Sequence, residues 1–281
     1  MRLTPTTLKQ LCDEYGLVPS KKYGQNYLIS DAPIQKMIEA AELTREDVVI
    51  EIGPGFGILT FSLAEQVKKV IAFEIERKLE RYWDEKKKKY PNIEIVWGNA
   101  LSLISKFKFQ SSNFKVLANL PYSITSHALQ TLLELEHKPD RIIVMVQKEV
   151  GERICAKPGD MSLLAVSVQY YGNPHVVCKV ARGNFWPSPN VDSVVIQINM
   201  KTEQHLNTCN NDFFRVVKAG FSHKRKLLTR NISSQLNVPF DFVVDAVKKI
   251  IGNENARAEE LSVLQWEQLA KLLTGGEAHS L

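Results

Sequence analysis

The sequence is poor in features that mark several large protein classes. Cysteine is scarce: Cys12, Cys155, Cys178 and Cys209 stand far apart among 281 residues, with no CxxC pair and no Cys/His cluster. That spacing argues against a disulfide scaffold and indicates no zinc or other metal site, so reduced thiols in the cytoplasm are expected. No apolar run reaches the length of a membrane span, and the first residues lack the apolar stretch of a signal peptide. Internal repeats and low-complexity tracts are missing too. Strong charge imbalance is also absent. The formal net charge is +5, which hints at a polyanionic partner without specifying one. What the chain does have is apolar content, 44% of residues, enough for a sizeable core in one large or two ordinary domains.

Apolar strands alternate with amphipathic helices. Ser30 or Asp31 caps a predicted helix with Pro33 in its first turn, running to about Leu43. Residues 47–52 read as a buried strand that enters Gly53-Pro54-Gly55-Phe56-Gly57, followed by a helix to about Gln66. Glycines let a backbone turn tightly and approach a ligand. The spacing departs from the dinucleotide fingerprint, because Ile58 stands where the third glycine belongs. No Gly-Lys-Ser/Thr follows, as it would in a phosphate loop. The loop suits a nucleoside-like ligand, with a simple tight turn as the bland alternative. A second strand over 69–73 ends in Glu74, 21 residues after Gly53. Doubly wound folds reach ribose hydroxyls from that position. A helix over 76–89 ends in Lys86–Lys89, a solvated end that also suits the helix dipole. A third strand over 93–97 ends at Gly98-Asn99-Ala100, placing Asn99 at the same cleft with an amide able to pair with an adenine edge.

Asn119-Leu120-Pro121-Tyr122 follows a fourth apolar strand, 115–118, and precedes a helix over 123–136. The tetrapeptide therefore sits at the carboxyl end of a strand, where open α/β sheets bind ligands. The asparagine offers an amide acceptor, the proline a stiff backbone and the tyrosine a face on which a base can stack. An ordinary helix cap with proline in the first turn fits the same residues.

The rest of the chain frames this centre. Residues 1–22 are polar and read as a mobile arm. Lys21 and Lys22 precede Tyr23-Gly24-Gln25-Asn26-Tyr27-Leu28, which fits a binding segment or a plain packing arm. A strand over 141–146 is closed by Gln147-Lys148-Glu149, and helical patterns cover 150–155 and 162–171. Residues 176–180 and 194–198 read as a strand hairpin. Between them, Asn184–Pro189 form a stiff loop whose Phe185 is either a base contact or a plug over the sheet edge. Residues 201–210 read as a linker, and helices are expected over 213–221, 224–235, 240–250 and 263–273. Ser222–Lys226 with Arg230 is the densest basic patch, able to neutralise phosphates or to serve as a solvated helix face.

In this order, the segments resemble the KsgA family of ribosomal RNA adenine dimethyltransferases over most of residues 21–230. Lys21–Leu28 is similar to the family's opening motif, Glu51–Gly57 to its first cofactor motif, Glu74 to its ribose acid and Asn119–Tyr122 to its catalytic motif. Gln147–Val150 with Arg153, and Phe185–Ser193, resemble two further family segments. The resemblance implies an α/β Rossmann-like class I S-adenosylmethionine-dependent methyltransferase over residues 1–200, with a small all-helical rRNA-binding domain over 201–281. It implies S-adenosyl-L-methionine as cofactor, held by Gln25, Asn26, Leu28, Gly53, Gly55, Glu74, Asn99 and Asn119. Catalysis would fall to Asn119, Leu120, Pro121 and Tyr122 with Phe185. RNA contacts would fall to Lys21, Lys22, Lys148, Arg153, His223, Lys224, Arg225 and Lys226. The implied substrate is two adjacent adenines near the 3′ end of small-subunit rRNA, met on the immature small ribosomal subunit by a cytoplasmic monomer. Two positions depart from the family. Asn99 stands where an aspartate usually accepts from the cofactor's adenine amine, and Ser188 interrupts a proline-rich run.

An adenine amine is a poor nucleophile, and an amide has no useful pKa, so Asn119 is not a general base. Its oxygen and the Leu120 or Pro121 carbonyl are expected to accept the two amine protons and to aim the nitrogen lone pair, with no metal required. The rival expectations are an Erm-type large-subunit rRNA methyltransferase and a largely non-catalytic nucleic-acid-binding protein on the same scaffold.

Overall fold

The computed structural model describes residues 3–19, 25–106, 114–201 and 210–275. They form two compact units, residues 1–151 with 174–200 and residues 152–173 with 201–281. The division expected at 200/201 thus differs by one stretch: residues 152–173 join the helical unit.

In the first unit the amino-terminal stretch is not the loose arm its polarity suggests. It forms α1 (Pro5–Glu14), with Pro5 in the first turn and the Thr4 hydroxyl accepting from the Thr7 N–H at 3.1 Å. Leu3, Leu8, Cys12 and Leu17 are buried in the main core. Next come β1 (Tyr27–Leu28) and α2 (Asp31–Ala41), which buries Pro33, Ile34, Met37, Ile38 and Ala41 along one face.

Near-continuous apolar runs then build the sheet. They are β2 (Val48–Ile52), β3 (Lys69–Glu74), β4 (Ile93–Trp97), β5 (Lys115–Asn119) and β6 (Arg141–Gln147). These five run parallel in the order β4-β3-β2-β5-β6. Unbroken Val/Ile runs suit strands covered on both faces, and covering helices supply the second face. Here α2 packs on β5 and β6, α3 (Ile58–Ala64) on β3, and α4 (Glu80–Lys87) on β4. The short α5 (Ala100–Leu103) and then α6 (Thr125–Leu133) follow β4 and β5.

The chain order reverses between β2 and β5, with β3 on one side of β2 and β5 on the other. That switch point opens a crevice beyond the strand carboxyl ends. After α7 (Lys148–Ile154) and α8 (Leu163–Tyr171), β7 (Gly172–Val180) and β9 (Ser193–Met200) extend the sheet, with β9 antiparallel to β6. Between them β8 (Phe185–Trp186) leaves the main sheet and pairs antiparallel with β1.

The second unit is helical: α8, α9 (Asn210–Gly220), α10 (Leu228–Leu236), α11 (Phe240–Ile251) and α12 (Val263–Thr274). Its centre is aromatic. Tyr170 stacks on Phe213 with ring centroids 4.1 Å apart, and Trp266 is fully buried 5.6 Å from Phe221. Ser262 and Gln265 form a capping box at the start of α12, and Gly252 ends α11 in the left-handed conformation. The basic stretch 222–226 is a turn rather than the expected start of a helix. The buried Asn231 side chain donates to the Gly220 and His223 carbonyls at 2.7 and 3.0 Å, and α10 begins only at Leu228.

Candidate active site

A cavity of about 340 Å³ lies at the switch point of the first unit. All eight residues expected at a cofactor line it: Gln25, Asn26, Leu28, Gly53, Gly55, Glu74, Asn99 and Asn119. Leu120, Pro121 and Tyr122 line it as well. Strand ends of β2, β3, β4 and β5 therefore converge, as their position in the sheet requires.

The glycine loop is shaped by what surrounds it. At Gly55 (φ +54°) a Cβ would stand 3.1 Å from the Tyr27 ring, and at Gly57 (φ +81°) only 2.6 Å from Phe61. Only glycine meets both the backbone conformation and the crowding at these positions. Behind the loop the rings of Tyr27, Phe56 and Tyr82 follow one another at 5.2 and 5.4 Å, and the Tyr82 hydroxyl donates to the Phe56 carbonyl at 2.8 Å. Glu74 braces the loop from the other side. Its two carboxylate oxygens accept from the Gly55 N–H at 3.1 Å and the Glu76 N–H at 2.8 Å. Burial still holds its pKa above the ordinary value, against the pull of those backbone donors.

Among the other lining residues, two stand out that had no role of their own in the sequence: Glu51, which only opened the cofactor-like motif, and Ile75. Glu51 is 2% exposed and its Oε2 has no hydrogen-bond partner. Burial pushes its carboxyl up to about 8, with the nearby Glu74 charge adding. The Thr60 hydroxyl pulls the other way, although it makes no hydrogen bond of good geometry. The signal was available, since a lone carboxylate inside the apolar run Val48–Ile52 needs a reason to be there. Ile75 is the other. It is 62% exposed beside the cavity, an apolar surface offered to a flat ligand.

The two asparagines are oriented by backbone groups. Asn119 Nδ2 donates to the Asn26 carbonyl at 3.3 Å, which leaves Oδ1 as its acceptor. Asn99 caps α5: its Oδ1 accepts from the Leu101 N–H at 3.0 Å. One lone pair of that oxygen is thereby used, and the other lone pair and the amide nitrogen remain for a ligand such as an adenine edge. The choice between two backbone carbonyls narrows as well. The Pro121 carbonyl accepts from the Ile124 N–H at 3.1 Å and from Thr125 Oγ1 at 3.3 Å. The Leu120 carbonyl is not taken by any described residue, while the Leu120 side chain is buried.

Tyr122 is half-buried, with its hydroxyl 2.8 Å from Ser193 Oγ. Phe185, expected as a base contact, is only 3% exposed. It belongs to the core cluster, pairs through its backbone with Leu28 and does not line the cavity. Of the expected RNA contacts, Lys21 and Lys22 lie outside the described residues. Lys148 opens α7, and Arg153 is exposed on the same helix. His223, Lys224, Arg225 and Lys226 are all exposed on the turn of the helical unit. Among the described residues no cluster of three His, Cys, Asp or Glu side chains is arranged to hold a metal ion, and no helix is long and apolar enough to cross a membrane.

A switch-point cavity with a glycine loop, an acidic strand end and Asn-Leu-Pro-Tyr on a Rossmann-like sheet defines a methyltransferase of the class I type. The comparisons carry this further: the chain belongs to the ribosomal RNA adenine dimethylase family, which matches residues 19–275. It is 38% identical to ribosomal RNA small subunit methyltransferase A of Dehalococcoides mccartyi, covering 95% of this chain and 92% of that one. The protein of the same name from Fusobacterium nucleatum is also 38% identical, over 91% of this chain and 97% of its own. Among solved structures, a dimethyladenosine transferase from Plasmodium falciparum superposes with a TM-score of 0.74 at 28% identity, covering 86% of this chain and 95% of that one. The 23S rRNA methyltransferase ErmE gives 0.70 at 26% identity, covering 88% and 99%.

Proposed function

We propose that the protein dimethylates two adjacent adenines at the exocyclic amine in the 3′-terminal hairpin loop of small-subunit rRNA, using S-adenosyl-L-methionine. The observation that carries this reading is the fixed orientation of Asn119. With Nδ2 held by the Asn26 carbonyl, Asn119 keeps Oδ1 as an acceptor, and the carbonyl of the next residue, Leu120, is taken by no described residue. Two acceptors at one strand end match the two protons of an unmethylated amine. They favour a tetrahedral nitrogen whose lone pair is aimed. A monomethylated amine keeps one proton, so one acceptor suffices for the second round.

The cavity residues fit the methyl donor. Glu51 is a buried carboxyl with an unmatched oxygen, suited to a cationic group, and Ile75 offers an apolar surface to a base. Glu74 stands at the strand end from which ribose hydroxyls are reached. When bound, the cofactor supplies a methyl group on a positively charged sulfur, an electrophile that needs no further activation. Tyr122 holds the target base by stacking, worth about 1–3 kcal/mol per base. The target must therefore be unpaired or flipped. The exposed turn 222–226 is suited to rRNA phosphates. The same reading has the protein act in the cytoplasm as a monomer on immature small subunits.

The similarity to ErmE keeps one alternative in view, methylation of large-subunit rRNA. The test is methyl transfer from labelled S-adenosylmethionine to undermethylated small and large subunits, followed by nucleoside mass spectrometry. N6,N6-dimethyladenine in the small subunit alone is expected. Label confined to free large-subunit rRNA would overturn the assignment.

A further inference from the structure

Residues 192 and 193 tie together three segments that are far apart in the chain. The Asp192 carbonyl accepts from the Lys148 N–H at 2.9 Å, fixing the start of α7. Asp192 Oδ1 accepts from the Arg182 N–H at 2.9 Å, and Ser188 Oγ donates to the Arg182 carbonyl at 3.1 Å, fixing the loop around β8. Ser193, fully buried and in register with Gln147, places its hydroxyl 2.8 Å from that of Tyr122. The proline-rich loop, the Gln147–Glu149 segment and the catalytic tetrapeptide thus share one junction.

Tyr122 needs such an anchor. It sits in a one-turn 3-10 helix just after Pro121, and its ring is only half-buried. Packing alone leaves a half-exposed side chain free to change its χ1 well. The hydroxyl lies on the Cβ–Cγ axis, so its hydrogen bond leaves χ2 alone but holds χ1 and the far end of the ring, and the partner is fully buried at the start of β9. A ring that stacks on a base must hold its place, because misplacement at the reacting centre costs rate more than it costs binding.

We propose that Ser193 is a positioning residue for methyl transfer, acting through the Tyr122 hydroxyl to fix the direction and position of the ring against which the target adenine lies. The idea rests on the methyltransferase reading above. Its test is a double-mutant cycle of Ser193→Ala and Tyr122→Phe, assayed by single-turnover methyl transfer to undermethylated small subunits, with S-adenosylhomocysteine binding and thermal melting measured in parallel. Each single change removes the same hydrogen bond. Each is expected to lower the transfer rate about tenfold or somewhat less, with the KM for the subunit and cofactor-product binding nearly unchanged. The double variant should be no slower than either single one.

Tyr122→Phe keeps ring, volume and exposure, so its result stands even if Ser193→Ala folds poorly. Losses that multiply in the double variant, or an unchanged rate in Tyr122→Phe, would overturn the proposal. If the parent protein binds S-adenosylhomocysteine but transfers no methyl, the functional reading falls and the proposal with it. If the parent is active and the variants match it, only the role of Ser193 falls.

Discussion

Two asparagines at the same cavity do opposite things. Asn119 ends β5 and Asn99 follows β4, and both line the pocket as half of a strand-to-helix turn. At Asn119 a backbone carbonyl takes the amide nitrogen and leaves an oxygen. At Asn99 a backbone N–H takes one lone pair of the oxygen and leaves the whole –NH2 group. An amide has two faces of opposite polarity, and the backbone group it meets first decides which one a ligand sees. Residue type alone therefore says little about whether a position accepts or donates.

The hardest blow to this contrast is Asn119→Ala. It is expected to cut methyl transfer by about 100-fold or more while leaving S-adenosylhomocysteine binding within about twofold, because the lost acceptor faces the substrate amine. Full activity in that variant would remove Asn119 from the chemistry.

Next in size is a change in the helical unit. Replacing Lys224 and Arg225 together by alanine should weaken rRNA binding and reduce the slope of log affinity against log salt by about 1.5. An unchanged slope would clear the turn of phosphate contacts.

Asn99→Asp sharpens the contrast directly. An aspartate keeps one oxygen on the Leu101 N–H and turns a second oxygen, in place of an N–H, toward the ligand. Calorimetry should give about three- to tenfold tighter S-adenosylhomocysteine binding, the worth of one hydrogen bond. Weaker binding would mean that the amide nitrogen already has a useful partner.

The smallest expected effect is on stability. Glu51 has its pKa raised by burial to about 8, above the ordinary 4.5. Between those values the folded protein keeps a proton that the unfolded chain has released, so stability falls as pH rises across that window. Glu51→Gln removes the penalty. The ligand-free variant should melt a few degrees above the parent at pH 8 and together with it near pH 4, while binding S-adenosylhomocysteine less well. Equal melting at both pH values would show Glu51 to be compensated.

The parts legible from sequence were those with local causes. Unbroken runs such as Arg141–Val146 announce a covered parallel strand, and Gly53–Gly57 announces a tight strand-to-helix turn. The cavity lining followed, because strand ends must converge at a switch point. What stayed hidden depends on distant partners. Residues 1–22 read as a loose arm because Leu3, Leu8, Cys12 and Leu17 are sparse among polar neighbours, yet all four are buried in the core. Residues 224–226 read as the start of a helix because nothing local reveals that Asn231 captures the preceding carbonyls. Phe185 read as a ring on display because two-residue strands carry no periodic signal, and the pairing of β8 with β1 turns that ring into the core. That Asn99 spends part of its acceptor on the Leu101 N–H was not legible, because that demand belongs to the backbone, not to composition.

The β1–β8 ladder also bears on how the protein comes to life. Leu28 and Phe185 pair across most of the first unit, and the Ile29 N–H donates to the Asn184 carbonyl. Asn26, which orients Asn119, sits next to this ladder. A ribosome making the chain has finished β2 through β6 long before residue 186 emerges, so the strands can assemble while this contact is still missing. Pairings of such long sequence separation form late. Newly made protein is therefore expected to hold a sheet before it holds an aimed amide. Pulse-labelled hydrogen exchange should find the Ile29 amide protected after those of β2 and β5, and earlier protection at Ile29 would reverse that order.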